Sequence, residues 1–332
     1  MKNPIKLLLL AGRVLLGGAL FWLVASKTGG WNLALPVLSS PVVLLPVIVF
    51  SLVGAYLEAL RLTPLLRSQG VSITLREAFR LVTAAFAFNF CIPGGASGDL
   101  SKLFYLRAAR TDKGWELATV VFVDRLVGLF SMLLLITALG ASSWSLVQSS
   151  PILLTLFWIV ATVMAGILVF AGLCLSTAPS LRAILRGMVR LLPFRSRLER
   201  VADAFFRFSD HRVALVRSLL FSFVGSVAGA AVFAVLGWVL YPQAFLPVPA
   251  FLSMLGTFAN TVTVTPGGLG VGEAAFDRLF AEAGLRGGAA VMIIWRAGML
   301  PLCLLGIAFY LGGLGINRRD AQHSPAKNER IC

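Results

Sequence analysis

Charged side chains recur within long apolar stretches of this sequence, where they could bind a charged group or pair with one another. Arg125 and Arg296 each lie inside an apolar run, and Asp99 and Glu273 each follow a Pro-Gly-Gly motif. An ionisable side chain at membrane depth costs roughly 2.5–3.5 kcal/mol even on lenient insertion scales. Side chains that bear this cost form ion pairs, bind substrates or carry protons. These four residues are therefore the first candidates for a functional site.

Arginine suits a phosphate ligand, because its planar guanidinium group can donate to two oxygens at once. Helices starting at Asp99 and after Gly270 would point free N–H groups and a positive dipole end into the same space. We expect Arg125 and Arg296 to contact the phosphate, with Asp99 and Glu273 as their partners or as proton carriers. Helix capping is an open alternative for both acids, because an acid in the first turn also stabilises a helix.

The composition indicates that these residues lie in a lipid bilayer. The chain has 332 residues, of which 58% are hydrophobic and 13% are charged, and its mean hydropathy is +0.89. A soluble domain carries about 25% charged residues. Several apolar runs reach the roughly 20 residues that a helix needs to cross a bilayer. We therefore predict an all-α polytopic integral membrane protein.

Six apolar segments are long enough to span the membrane, and two further stretches are interrupted. The spanning segments are predicted at about 5–26, 41–60, 115–139, 151–177, 218–240 and 288–315. The interrupted stretches are about 74–110, with Pro93, Gly94 and Gly95 at its tip, and about 249–284, with Pro266, Gly267 and Gly268. A broken helix leaves backbone groups unpaired, so protein or a water-filled cavity must surround each break.

The distribution of lysine and arginine predicts the orientation in the membrane. Four regions contain 23 of the 29 basic residues: 61–113 with eight, 178–217 with nine, the tail from 317 with four and the first six residues with two. Three other connections contain Lys27 alone, namely 27–40, 140–150 and 241–249. The positive-inside rule therefore places both termini and both basic loops in the cytoplasm.

With this orientation, the stretch 74–110 enters and leaves on the cytoplasmic side, and the stretch 249–284 does so on the outer side. Each would form a re-entrant hairpin of two half-helices. The order helix, helix, hairpin, helix then occurs over about 1–145 and again, inverted, over about 150–315. Asp99 before Arg125 in one half matches Glu273 before Arg296 in the other. We therefore predict an inverted-topology repeat, although proline and glycine are also common in ordinary membrane helices.

Other features of the composition exclude further classes of function. The formal net charge of +15 would suit nucleic acid, but the sequence contains no separate domain to bind it, so we expect contact with anionic headgroups instead. The four cysteines show no metal-binding spacing and the two histidines lie in or near basic loops, so no metal or cofactor is expected. Phenylalanines interleaved with arginines over 178–217 predict an interfacial amphipathic helix or a docking surface for a partner.

Three motifs resemble the transmembrane region of lysylphosphatidylglycerol synthases, a flippase-like family of bacterial membrane proteins. They are Thr265 to Glu273, Asn89 to Pro93 with Gly98, Asp99 and Lys102, and Val123 to Arg125. The resemblance spans essentially the whole chain. It adds four residues to the candidate lipid-binding site: Asn89, Lys102, Asp124 and Thr265. Gly272 departs from the pattern, because the family usually has an arginine before the acid.

Full synthases of this kind carry a soluble aminoacyl-transferase domain after the membrane region. Here about 16 residues follow the last apolar segment, too few for a domain. The resemblance thus implies the stand-alone form, with one flippase-like domain over 1–316 and a short cytoplasmic tail over 317–332. We expect lysine transfer to be absent and the protein not to be an enzyme.

Together these observations predict a protein of the bacterial plasma (inner) membrane that translocates an anionic lipid, such as a phospholipid or a polyprenyl-phosphate lipid. The alternative is an accessory subunit that transports nothing. It would dock a lipid-modifying or glycan-assembly enzyme through residues 178–217.

Overall fold

The computed structural model describes residues 18–19, 21–27, 29–92, 96–109, 113–175, 195–261 and 265–314, and side chains are not described at 174–175 and 195–202. Twelve helices with defined bounds lie in these ranges. They are α1 (Gly30–Leu38), α2 (Pro41–Ser68), α3 (Leu75–Cys91), α4 (Ser97–Ala109), α5 (Gly114–Ser142), α6 (Trp144–Ser149), α7 (Pro151–Leu175), α8 (Arg195–Asp210), α9 (Arg212–Leu240), α10 (Pro247–Asn260), α11 (Val271–Glu282) and α12 (Ala289–Leu311).

The all-α prediction is confirmed, since these ranges contain helices and turns but no β-strand. Five helices are long and apolar enough to cross a membrane: α2, α5, α7, α9 and α12. They coincide with five of the six predicted spanning segments. The first predicted segment, at about 5–26, lies mostly outside the described residues, and residues 21–27 at its end are helical.

Two of the spanning helices are longer than their apolar segments. We expected α2 to end near residue 60, but it continues to Ser68, and α9 begins at Arg212 rather than near 218. The reason in α2 is that Arg61 is neutralised within the protein by Asp124, at 2.7 Å. Its charge therefore does not require the helix to end at the membrane surface. Hydropathy alone therefore underestimates the length of a helix whose charged residues are paired with charges on other helices.

Both interrupted stretches form two helices that fold back on each other. Gly98, just after the first break, lies against the Ala85 carbonyl and the Asn89 side chain, so that an added Cβ would collide with both. In the second stretch, Gly256 in α10 lies against the ring of Phe276 in α11. Contacts between residues on opposite sides of each break define two helical hairpins, α3–α4 and α10–α11.

Helix α12 is the most buried of the five spanning helices, with 61% of its apolar window inside the protein. Two of its glycines permit close helix contacts: Gly298 lies against Val47 in α2, and Gly306 lies against the Thr83 carbonyl in α3. Small residues commonly let helix backbones approach in membranes. As a result, α12 holds the first hairpin and the first long helix together, and it carries Arg296 into the interior.

The hairpins have the expected form, and their direction relative to the membrane stays a prediction from the charge distribution. In a cysteine-free background we expect a Gln243→Cys variant to react with a membrane-impermeant maleimide added outside intact spheroplasts. An Arg67→Cys variant should react only after permeabilisation, because it lies in the last turn of α2, at the start of the basic region 61–113 that is predicted to face the cytoplasm. Arg67 and Gln243 are both exposed on the protein, so a difference in labelling would report the side of the membrane rather than burial within the fold. Labelling of residue 243 only from the cytoplasm would contradict the inverted arrangement.

Candidate functional site

Six charged side chains from three helices meet in one network inside the protein. Helix α2 contributes Glu58 and Arg61, α4 contributes Asp99 and Lys102, and α5 contributes Asp124 and Arg125. The α2 and α4 pairs are each three residues apart, which places both members on one face of their helix. Each helix supplies one acid and one base, so the network is formally neutral.

Asp124 lies at the centre of this network and is 1% exposed. Arg61 binds both of its carboxylate oxygens, with Nε–Oδ1 at 2.7 Å and Nη2–Oδ2 at 3.1 Å. The Nζ atom of Lys102 lies 3.4 Å from Oδ2. A buried carboxylate requires such compensation, because the low dielectric of the interior penalises an unpaired charge by several kcal/mol. Asp124 thus fixes α2 and α4 against α5.

Lys102 connects this centre to the other two acids. Its Nζ lies 2.5 Å from Glu58 Oε1 and 3.7 Å from Asp99 Oδ1. The second oxygen of Asp99 accepts a hydrogen bond from Arg125 Nη1 at 3.1 Å. The side chain of Arg125 is 42% exposed, whereas that of Arg61 is 12% exposed and Lys102 is buried. Arg125 is therefore the accessible end of the network.

A cavity of about 220 Å³ opens beside the network. All six charged residues line it, together with Val82, Ala85, Phe86, Asn89, Gly128, Leu129, Met132 and Thr261. Gly128 provides space for Arg61, because a Cβ there would lie 2.8 Å from Nη1. Thr261 comes from the end of α10, so the second hairpin closes one wall of a cavity built by the first half of the chain.

Asn89 positions the acid at the start of α4. Its Oδ1 accepts hydrogen bonds from the backbone N–H of Gly98 at 2.7 Å and from Ser97 Oγ at 3.1 Å. These contacts satisfy groups that a helix beginning near a break would leave unpaired. Because Gly98 directly precedes Asp99, the same contacts fix the carboxylate that faces Arg125.

At the second break, Glu273 and Arg296 form a separate and closed pair. Glu273 is 0% exposed, and its Oε1 lies 2.6 Å from Arg296 Nε. Its Oε2 accepts a hydrogen bond from the Gly270 N–H at 2.7 Å, which caps α11. Capping and ion pairing therefore occur together at Glu273. Neither residue is among those that line the cavity, so their contact with the same ligand as Arg125 stays a prediction.

Arg296 also ties the second break to the first hairpin. Its Nη1 donates to the Gly267 carbonyl at 2.6 Å, and its guanidinium carbon lies 5.9 Å from the centre of the Phe90 ring. Gly267, Gly268 and Gly270 all have positive φ angles, of 54°, 71° and 80°, which only glycine adopts at little cost. The predicted tip is thus a glycine turn held by an arginine, and Thr265 beside it is buried.

Gly272 departs from the pattern of the family that the motifs resemble, and it lies beside Arg296. A Cβ at this position would lie 2.9 Å from Arg296 Nη2 and 2.8 Å from the methyl group of Met292. Both atoms are the ends of flexible side chains, which would have to shift to admit a larger residue. In this chain Arg296 supplies a positive charge at the second break.

Several predicted residues thus meet in the cavity, and others lie apart. Asn89, Asp99, Lys102, Asp124 and Arg125 line the cavity, whereas Thr265, Glu273 and Arg296 surround the second break. Pro93, Gly94 and Gly95 lie outside the described residues. Glu58 and Arg61 also line the cavity, although neither was among the predicted site residues. The spacings Glu58-x-x-Arg61 and Asp99-x-x-Lys102 were the available sequence signal.

The described part of the basic loop folds inward rather than presenting its aromatic residues. Helix α8 buries Phe206 and Phe208, and Phe205 packs edge-to-face with Phe122 and Phe170. Phe194 lies outside the described residues. Contacts within the protein therefore cover much of the aromatic face of α8, while Phe205 and Phe208 also line an apolar groove between α8 and three spanning helices.

The fold and the site define a polytopic helical membrane protein with a charge-lined cavity beside two broken hairpins. The chain belongs to the lysylphosphatidylglycerol synthase TM region family, whose model matches residues 9–306. That family is a membrane region associated with lipid handling. No curated protein and no solved structure matches the chain.

The Glu273–Arg296 pair generates a stability prediction. A Glu273→Gln variant keeps an oxygen for the Gly270 N–H but removes the charge, leaving a buried arginine uncompensated. We expect the free energy of unfolding in detergent to fall by about 3–5 kcal/mol. A Glu273→Gln, Arg296→Met double variant should recover part of this loss, because both buried charges are removed.

The matched control is Arg278→Gln, which breaks an exposed pair with Glu282. Arg278 is 67% exposed, and such pairs contribute about 0–1 kcal/mol. Reversible denaturant unfolding monitored by tryptophan fluorescence would measure all four proteins. Equal loss of stability in Glu273→Gln and Arg278→Gln would contradict the buried pairing described above.

Proposed function

We propose that this protein binds an anionic lipid by its phosphate and translocates it across the bacterial inner membrane, without modifying it chemically. The observation that carries this proposal is the position of Arg125. It is the half-exposed end of a buried, neutral charge network, and it lies at a cavity beside a broken hairpin within a set of membrane-spanning helices.

A phosphate can take the place of one acid in this network. Asp99 accepts a hydrogen bond from the partly exposed Arg125 at 3.1 Å, whereas the deeper Asp124 accepts two from Arg61. The bidentate pair is the stronger one, and so it would stay intact when a ligand enters. The phosphate would accept from Arg125, and Asp99 would turn towards Lys102, which lies 3.7 Å away. The network would thus release a carboxylate to admit a lipid.

Broken hairpins support movement as well as binding. Transporters commonly place their sites at discontinuous helices, where half-helices can move against longer ones. Here the second hairpin contacts the first through Thr261 at the cavity wall and through Gly267 beside Phe90. Separation of these two contacts would open the cavity towards one side of the membrane or the other.

The orientation inferred from the charges belongs to the same proposal. Both termini and the basic loops would face the cytoplasm, so that the basic residues could attract anionic headgroups of the inner leaflet. A phosphate is common to phospholipids and to polyprenyl-phosphate lipids. The proposal therefore specifies the phosphate group and leaves open which of these two lipid classes carries it. The transport assay compares a phospholipid with a polyprenyl phosphate.

Translocation can be tested with fluorescent lipids in liposomes that contain the purified protein. We expect the wild type to expose a fluorescent phosphatidylglycerol or a fluorescent polyprenyl phosphate to a quencher added outside. Arg125→Ala should slow this exposure at least tenfold, because removing a charged hydrogen-bond donor weakens binding by about 1.5–3 kcal/mol. Asp99→Asn should also change the rate, because it removes the acid that the phosphate replaces.

The matched control is Arg278→Ala, which removes an exposed arginine of α11 that is not among the residues lining the cavity. It should transport at the wild-type rate. If folded Arg125→Ala and Asp99→Asn proteins match the wild type for both lipids, the cavity is not the translocation site. If the wild type itself moves neither lipid but purifies with an enzyme in fixed ratio, the accessory role would replace the present proposal.

A further inference from the structure

A second cavity, of about 270 Å³, is a groove between α5, α7, α8 and α9. The described residues that line it are all apolar, among them Val127 and Phe130 of α5, Ala171 of α7 and Val216 of α9. A headgroup placed against these residues would lose its hydration without gaining a hydrogen-bond partner. The described lining therefore favours a hydrocarbon chain.

The groove and the charged cavity lie on opposite faces of α5. Residues 123, 126, 127 and 130 line the groove, whereas residues 124, 125, 128, 129 and 132 line the charged cavity. At 3.6 residues per turn these two sets point in opposite directions. A lipid bound by its phosphate at Arg125 therefore cannot place its chain in this groove. The groove must serve a different ligand.

Arg212 provides a positive charge on the same face of α9 as the residues that line the groove. On α9, Leu215, Val216 and Leu219 line the groove, and Arg212 precedes them on the same helical stripe. Arg212 is exposed at the start of the helix, and its Nε donates to the Ser209 carbonyl at 3.2 Å. This contact turns the guanidinium group back over the end of α8, beside the groove.

Three aromatic rings form the wall between α5, α7 and α8. Phe122, Phe170 and Phe205 pack edge-to-face, with ring centres 5.6–6.1 Å apart. Edge-to-face contacts between aromatic rings contribute stabilisation beyond that of apolar burial, which favours this arrangement of the three rings. Since Phe170 and Phe205 also line the groove, its shape is set by a fixed aromatic wall.

We propose that this groove holds one hydrocarbon chain of an anionic phospholipid, with the phosphate at Arg212, as a resident lipid distinct from any translocated one. The occupant follows from three observations. Three spanning helices, α5, α7 and α9, border the groove, so bilayer lipid is its immediate neighbour. Its volume lies below the roughly 300 Å³ of typical small-molecule pockets and suits part of a single chain. Arg212 complements an anionic headgroup.

Photolabelling can test this proposal directly. The purified full-length protein would be reconstituted with a phosphatidylglycerol that carries a diazirine near the end of one chain, and the labelled peptides would be found by mass spectrometry. We expect labelling to concentrate on the groove residues. Ala171→Trp, which fills the groove, should reduce this labelling at least fivefold.

Ala165→Trp is the matched control, because Ala165 is an exposed residue of the same helix that does not line the groove. It should leave the groove labelling unchanged. If Ala171→Trp does not fold, Val216→Trp on the opposite wall replaces it, with Val213→Trp as its control. Both valines are exposed on α9, and only Val216 lines the groove.

Two further variants separate this site from the charged cavity and test the headgroup. Arg125→Ala should leave the groove labelling intact, even where translocation fails. Arg212→Gln should reduce labelling by phosphatidylglycerol at least threefold more than labelling by the zwitterionic phosphatidylcholine analogue. Labelling spread evenly over all lipid-facing helices, or unaffected by both groove-filling variants, would overturn the proposal. Equal loss for both headgroups in Arg212→Gln would overturn the preference for an anionic headgroup, and no loss for phosphatidylglycerol would overturn the role of Arg212.

Discussion

Compensation of the buried charge on Asp124 is the constraint on which the first half of this structure depends. The carboxylate is nearly inaccessible to water, so it requires cations from other helices, and it obtains Arg61 from α2 and Lys102 from α4. Each of these cations would in turn be costly without an acid, which accounts for Glu58 and Asp99. Each charge in the network is thus paired with an opposite charge, and Arg125 pairs with Asp99. Because Arg125 is partly exposed, a ligand could take the place of Asp99 there.

The broken helices impose a second constraint, which the two hairpins meet with different residues. At the first break, the side-chain oxygen of Asn89 accepts from the backbone at Gly98. At the second, Glu273 accepts from Gly270, and Arg296 donates to the Gly267 carbonyl. Satisfying the backbone in these ways is what allows an irregular chain to exist at membrane depth. With these contacts in place, Asp99 after the first break stays partly exposed, whereas Glu273 after the second break is fully buried.

Much of the fold could be predicted because its signals are local. Apolar runs gave five spanning helices, and Pro-Gly-Gly motifs gave both hairpin breaks. The acids after each break and the arginines that follow were also expected to correspond, and each acid does contact its arginine. Prediction from the sequence failed where a property depends on packing. Helix α2 was expected to end near residue 60, since nothing in that helix shows that Asp124 lies opposite Arg61.

The sequence by itself determined the class of protein, the positions of the helices and breaks, and the set of charged residues that needed partners. These follow from composition and short-range periodicity, which do not depend on how the helices pack. Only the tertiary structure decided that the charges divide into an open network around Asp124 and a closed pair at Glu273. It alone decided that α5 separates a charged cavity from an apolar groove. Both outcomes depend on which helix faces meet, and that choice is made by contacts between residues far apart in the chain.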